Sequence, residues 1–166
     1  MATPPANDRP IFGVGFFLST LGFRSHEMWA ERLVPLGLDS RQAAMLLNVA
    51  RAEGRSQQAL AQALKIPPSR VVVLVDDLER RNLLQRRADP ADRRIRLLHL
   101  TPDGRAMVER LARVAAEHDD WLSVGLDEAE RDQLVALLRK AAAGLELSGT
   151  VHSGLAGGEW EPADLG

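Results

Sequence analysis

Apolar and polar positions alternate along this chain at two different periods. From about Pro10 to Arg32 the stretch "PIFGVGFFLSTLGFRSHEMWAER" reads as a long helix. Its apolar run, Ile11 to Phe23, is too short for a membrane span. With only Arg9 before it beside Asp8 and no small-x-small cleavage site after it, it does not read as a secretory leader. It suits a helix destined for a core or an interface. "VPLGLD" interrupts it, with Pro35 and Gly37 as punctuation. Asp39 or Ser40 can cap a second helix, with Ala43, Ala44, Leu46, Leu47 and Ala50 at helical spacing. Gly54 then suits a left-handed stop.

Ser56 can cap a short third helix, "QQALAQAL", whose inner stripe is Leu60, Ala61 and Leu64. After "KIPP" a fourth helix runs from Pro68 to about Asn82. Its inner stripe is Val71, Leu74, Val75, Leu78 and Asn82; here the helical period overrides the β-propensity of the valines. The period then changes to two. "LLQRRA" and "IRLLHL" flank the turn-rich "DPADRR" and predict a hairpin. Thr101 and Pro102 open a fifth helix with Met107, Val108, Leu111, Ala115, His118 and Leu122 on its apolar face. Asp127 and Glu130 resemble a capping box for a sixth helix, about Glu128 to Leu145. Residues 1–9 and 147–166 are polar or glycine-rich and aperiodic, and are expected to be disordered tails.

Composition changes this picture in two ways. The chain has 166 residues, enough for one domain with appended helices, and a formal net charge of −2. That average hides a contrast. Arg55 to Leu100 carries 10 basic and 5 acidic residues, a net +5, whereas the remaining 11 basic and 18 acidic residues give −7. One basic segment in an acidic chain is a footprint for a polyanion. The absence of cysteine excludes disulfides and thiolate chemistry and fits a cytoplasmic protein. With four histidines and no His-x3-His spacing, no metal site is expected. "GVG" at Gly13 to Gly15 lacks a third glycine and a preceding strand. With no phosphate loop or nucleophile elbow either, neither an enzyme nor a cofactor is called for.

Two helices, the second opened by proline, followed by a charged hairpin make a winged helix-turn-helix. The outward positions of the fourth helix are Ser69, Arg70, Val73, Asp77 and Arg80. Ser69 suits a phosphate near the helix N-terminus. Arg70 suits a guanine edge, and exposed Val73 suits a thymine methyl. Gln57, Gln58 and Lys65 would hold the DNA backbone and set register. At the hairpin tip Arg93 or Arg94 would enter the minor groove, with Asp92 bracing Arg94 by pairing with its guanidinium. Each of these residues also fits an ordinary exposed position or a loop-stiffening ion pair.

"LAQALKIPPSRVVVLVDDLERRNLLQRR" together with "DPADRR…LTPDG" resembles the multiple-antibiotic-resistance regulator (MarR) family of winged-helix repressors. Asp92, Arg94, Leu100, Thr101 and Gly104 match its wing-and-exit motif, and the likeness by motif covers about Leu36 to Gly104. Asn82 stands where members usually have glycine. The resemblance implies a mainly α fold with a small β-hairpin wing. A DNA-binding domain at 36–101 would be flanked by dimerisation helices at 10–35 and 102–146. It implies a homodimer on a pseudo-palindromic double-stranded operator, acting as a repressor relieved by a small aromatic or anionic effector, with no membrane partner. An effector pocket would draw on Phe16, Phe23, His26, Trp29 and Met45. Each of these fits core or dimer packing as well, and His118 fits a satisfied core histidine. Two alternatives stand beside this: a winged helix used for protein–protein contact, and a DNA-binding regulator without an effector.

Overall fold

A computed structural model describes residues 12–64 and 66–145. The expected tails, the first two residues of the expected first helix, and Lys65 lie outside the described residues. Helix α1 spans Val14–Leu33, followed by a single 3-10 turn at Val34–Leu36. Helix α2 spans Ser40–Arg51, strand β1 Arg55–Ser56 and α3 Gln57–Leu64. Helix α4 spans Pro68–Arg80, β2 Leu84–Ala88 and β3 Arg96–Leu100. Helices α5, Pro102–Leu122, and α6, Glu128–Gly144, complete the chain.

Local chemistry sets most of these boundaries. Asp39, not Ser40, caps α2: its carboxylate accepts from Gln42 N–H at 2.7 Å while the Gln42 side chain accepts from Asp39 N–H at 2.9 Å. The same reciprocal pair joins Asp127 and Glu130 at α6. Ser56 Oγ accepts from Ala59 N–H at 3.1 Å, and Thr101 Oγ1 from Gly104 N–H at 2.9 Å. Each satisfies one of the donors a helix start leaves open.

Three boundaries differ from the sequence expectation. Helix α1 begins at Val14, behind Gly13, which has no side chain to cap with. Helix α2 stops at Arg51. Gly54 is left-handed (φ 80°) as expected, but it serves a different turn: its N–H donates to Leu98 O, leading into β1. Helix α4 stops at Arg80. Asn82 stands beyond it with φ 56° and is exposed rather than on the buried stripe. It adopts the left-handed conformation that glycine would, and its Nδ2 donates to Asp103 Oδ2 at 2.8 Å.

The hairpin is part of a three-stranded antiparallel sheet in the order β1-β3-β2. Arg55 pairs with Leu98, and Leu84 with Leu100. A two-residue strand carries no periodicity of its own, so β1 was invisible as a pattern. The core gathers Leu33, Met45, Leu46, Val49, Leu60, Leu64, Val71, Val75, Leu78, Leu84, Leu98 and Leu111 from α1 to α5. No residue of α6 is buried, and the first half of α1 is equally exposed. These two elements carry leucines and phenylalanines that the other described residues leave exposed.

Candidate nucleic-acid interface

Helix α4 turns Val71, Val75 and Leu78 into the core, which leaves Ser69, Arg70 and Val73 exposed on the opposite side. Val73 is 67% exposed. Among the described residues, little covers this valine. Asp77 differs from the outward position expected of it. It is half-buried, and its carboxylate accepts from Gln42 Nε2 at 2.5 Å and from Arg80 at 2.7 Å. Arg81 also donates to Gln42 Oε1 at 3.3 Å. Gln42 therefore caps α2 and ties it to the C-terminal end of α4.

Gln58 is exposed on α3. Gln57 is half-buried, and its amide oxygen accepts from Arg86 Nε at 3.3 Å. The sheet divides the wing arginines by the two-residue period. Arg86 points inward on the same face as Leu84 and Leu98, while Arg87 points outward. Past them lies the tip, where Arg93 and Arg94 are exposed. Among the described residues, neither they nor Arg70 form an ion pair.

The tip is held by its own acidic residues, through a contact other than the one expected. Asp92 Oδ1 accepts from the backbone N–H of Arg94 at 2.9 Å, not from its guanidinium. Asp89 Oδ1 accepts from Ala91 N–H at 2.8 Å, and Asp89 N–H donates to Ile95 O at 3.0 Å. Short carboxylates two residues before a turn N–H mimic a backbone turn. They fix the path of the chain and leave the guanidinium groups unpaired.

At the base of the wing, Glu53 accepts from Arg105 and lies 3.4 Å from His99 Nδ1. Burial alone would raise the Glu53 carboxyl, but Arg105 and His99 together outweigh it and hold it below its ordinary value.

The five residues considered for an effector pocket do not form one set. Met45 is fully buried and Trp29 is 7% exposed, both within the core cluster. Phe16 and Phe23 are exposed, and His26 is half-buried. What meets instead, between α1 and α5, is Trp29, Ser25 and Arg32 with His118 and Trp121. Ser25 Oγ is 3.0 Å from His118 Nε2, and His118 lies between the two indole rings at 5.5 and 5.9 Å. His118 Nδ1 and Arg32 Nε are buried without a hydrogen-bond partner. Burial, and then the Arg32 charge, lower the His118 imidazole below its ordinary value. His118 is thus a core histidine satisfied on one nitrogen only. This grouping joins residues 93 positions apart, so helical spacing alone could not reveal it.

An apolar cleft of about 490 Å³ opens between α1 and α6, walled by Phe17, Leu18, Leu21, Leu134, Leu137 and Leu138 among others. Among the described residues, no group of three acidic or histidine side chains could hold a metal ion. No described helix is long and apolar enough to cross a membrane.

Comparison with known proteins follows the same geometry. A model of the MarR family matches residues 36–95, from the approach to α2 to the wing tip. A Thauera aromatica protein, whose name assigns it as a transcriptional regulatory protein to the hcr operon, is 38% identical over 96 residues. The match covers 58% of this chain and 58% of that relative's length. Among solved structures, the transcriptional repressor CouR, bound to a 23-mer DNA duplex, aligns with a TM-score of 0.69 and 31% identity. That alignment covers 81% of this chain and 99% of CouR. A MarR-family transcriptional regulator from Rhodococcus sp. RHA1 gives 0.66 and 31%, over 78% and 91% of the two chains.

Proposed function

The chain belongs to the MarR family, and from that premise we propose that it is a sequence-specific, double-stranded DNA-binding transcriptional regulator, acting as a homodimeric repressor in the cytoplasm. One observation carries the reading. Exposed Arg70 and Val73 on α4 and unpaired Arg93 and Arg94 at the wing tip belong to one basic segment of an otherwise acidic chain. Arg70 and Val73 read the major groove, and Ser69, Gln58 and Lys65 hold phosphates. Gln57, with its oxygen engaged by Arg86 and its Nε2 buried, supports that face from within. Arg93 or Arg94 enters the flanking minor groove, with Asp92 bracing the tip through the Arg94 backbone N–H. The DNA-bound state of CouR supports the partner. The work is binding, with no reaction assigned to any side chain.

The homodimer is supported by the apolar cleft between α1 and α6 and by the exposed leucines of α6, a face that a second copy covers twice about a two-fold axis. Relief by an effector is supported by the half-satisfied cluster where α1 meets α5. An aromatic anion can lie against the Trp29 and Trp121 region and accept from Arg32. Of the five residues considered for a pocket, Trp29 takes part in this cluster through its ring contact with His118.

Selection of duplexes from a random pool, followed by gel shift across a salt series, tests the DNA reading. A pseudo-palindromic consensus with affinity falling steeply in salt is expected. Absence of salt-sensitive binding to any duplex sinks it and favours the protein–protein alternative. Release of the selected duplex by benzoate or a related aromatic acid tests the effector. A complex unchanged across such a panel leaves a regulator without one.

A further inference from the structure

Arg86 occupies the middle of β2, level with buried Leu98 across the ladder, and its side chain is 20% exposed. Its guanidinium donates to Glu79 and to Asp76, both on α4, while Nε donates to Gln57 at the start of α3. Its backbone N–H donates to the other oxygen of Glu79 at 2.9 Å. One residue of the wing is therefore joined to both helices of the helix-turn-helix. The planar fork has a separate nitrogen for each acceptor, which a lysine could not supply in the same geometry.

Buried Leu84 and Leu98 already share the core with Val75 and Leu78. Such contacts are non-directional. The charge-assisted bonds of Arg86 are directional, so they set the angle at which the sheet leaves α4. The tip lies roughly 10–15 Å farther along the strand, at about 3.3 Å per residue. Over that lever a tilt of about 10° moves the tip by roughly 2–3 Å, a large fraction of a minor groove about 6 Å wide.

We propose that Arg86 is the positioning residue that fixes the wing relative to α4, and with it the spacing between major-groove and minor-groove contacts. The proposal rests on the DNA-binding reading above. Arg86 itself touches no base. It acts through Arg93 and Arg94.

The test uses the full chain and two duplexes. One is the duplex selected from a random pool by the wild type, and the other is the same duplex with its A·T flanks changed to G·C. Arg86→Gln should weaken binding to the first by about tenfold and leave the second within about twofold. It should add little to the double change Arg93→Ala, Arg94→Ala, because both remove the same flank contribution. The paired variant Asp76→Asn, Glu79→Gln keeps Arg86 and removes two negative charges. It too should lose the flank preference, and it tests the proposal even where Arg86→Gln does not fold. Equal weakening of both duplexes by Arg86→Gln, or full additivity with the Arg93→Ala, Arg94→Ala double change, would overturn the assignment. So would tighter binding to both duplexes by the paired variant, the behaviour of a plain phosphate contact freed from its carboxylates. A wild type that binds both duplexes equally removes the wing contact and this inference together. One that binds no duplex removes the DNA-binding reading itself.

Discussion

Arg70 and His118 are both cationic by type, yet the chain treats them in opposite ways. Arg70 is exposed near the start of α4 with no partner among the described residues. Arg70→Ala should cost about 1–3 kcal/mol of binding and relax preference at one base position per half-site. Competition with single-base variants of the selected duplex checks this; uniform weakening across all of them reduces Arg70 to a phosphate contact. His118 is buried between α1 and α5, where burial and Arg32 disfavour its charged form. Because its folded-state value is lowered, the unfolded chain binds a proton there first as the pH falls. The stability contributed is full above the ordinary histidine value of about 6.5 and is lost as the pH drops below it. Denaturant melts between pH 8 and pH 5 should show that loss. His118→Gln should flatten it; an unaltered slope would mean that other groups carry the dependence.

At the level of elements, the join between α4, the wing and α5 is the most constrained region. Thr101 Oγ1 donates to Asn82 O, Thr101 N–H donates to Leu83 O, and Gly104 N–H returns to Thr101 Oγ1. A Cβ at Gly104 would stand 2.0 Å from Leu83 O, a backbone atom that cannot swing aside. Gly104→Ala should therefore destabilise the chain by roughly 1–3 kcal/mol or more, as overpacking in a rigid site does. A melting temperature equal to wild type would refute the close approach. This region also shows what the sequence could and could not tell. Thr101 and Asp127 were legible as caps because cap and partner sit three residues apart, and Gly104 belonged to a recognisable motif. Strand β1 was not legible, since Arg55 meets a partner 43 positions later and only two residues pair. Asp77 had the spacing of an outward residue, but Gln42, on another helix, takes its carboxylate. Arg86 could be placed on the inner face by alternation, whereas its bonds to Asp76, Glu79 and Gln57 depend on how three elements pack. Met45 had the chemistry of a pocket residue, and periodicity cannot distinguish a pocket wall from a filled core.

For the whole molecule, the uncovered faces of α1 and α6 matter most. Leu137 is 56% exposed and walls the α1–α6 cleft. Leu137→Asp should leave the helical spectrum intact and convert the species seen by sedimentation from dimer to monomer, with loss of high-affinity binding to a two-half-site duplex. A monomeric wild type would refute the dimer. In the dimer the half-sites should lie about one helical turn apart, near 10 bp centre to centre. The join at Thr101 also determines which parts of the molecule can open separately. Asn82 and Leu83 at the entry to the wing are bonded to Thr101 at its exit, and Thr101 also caps α5, so opening the base of the wing loosens the cap of that helix. In amide hydrogen exchange, Thr101, Gly104 and Arg105 should therefore share one opening free energy, as a cooperative unit does. Ala91 and Arg94, whose N–H groups bond only to carboxylates within the tip, should exchange far faster and independently of it.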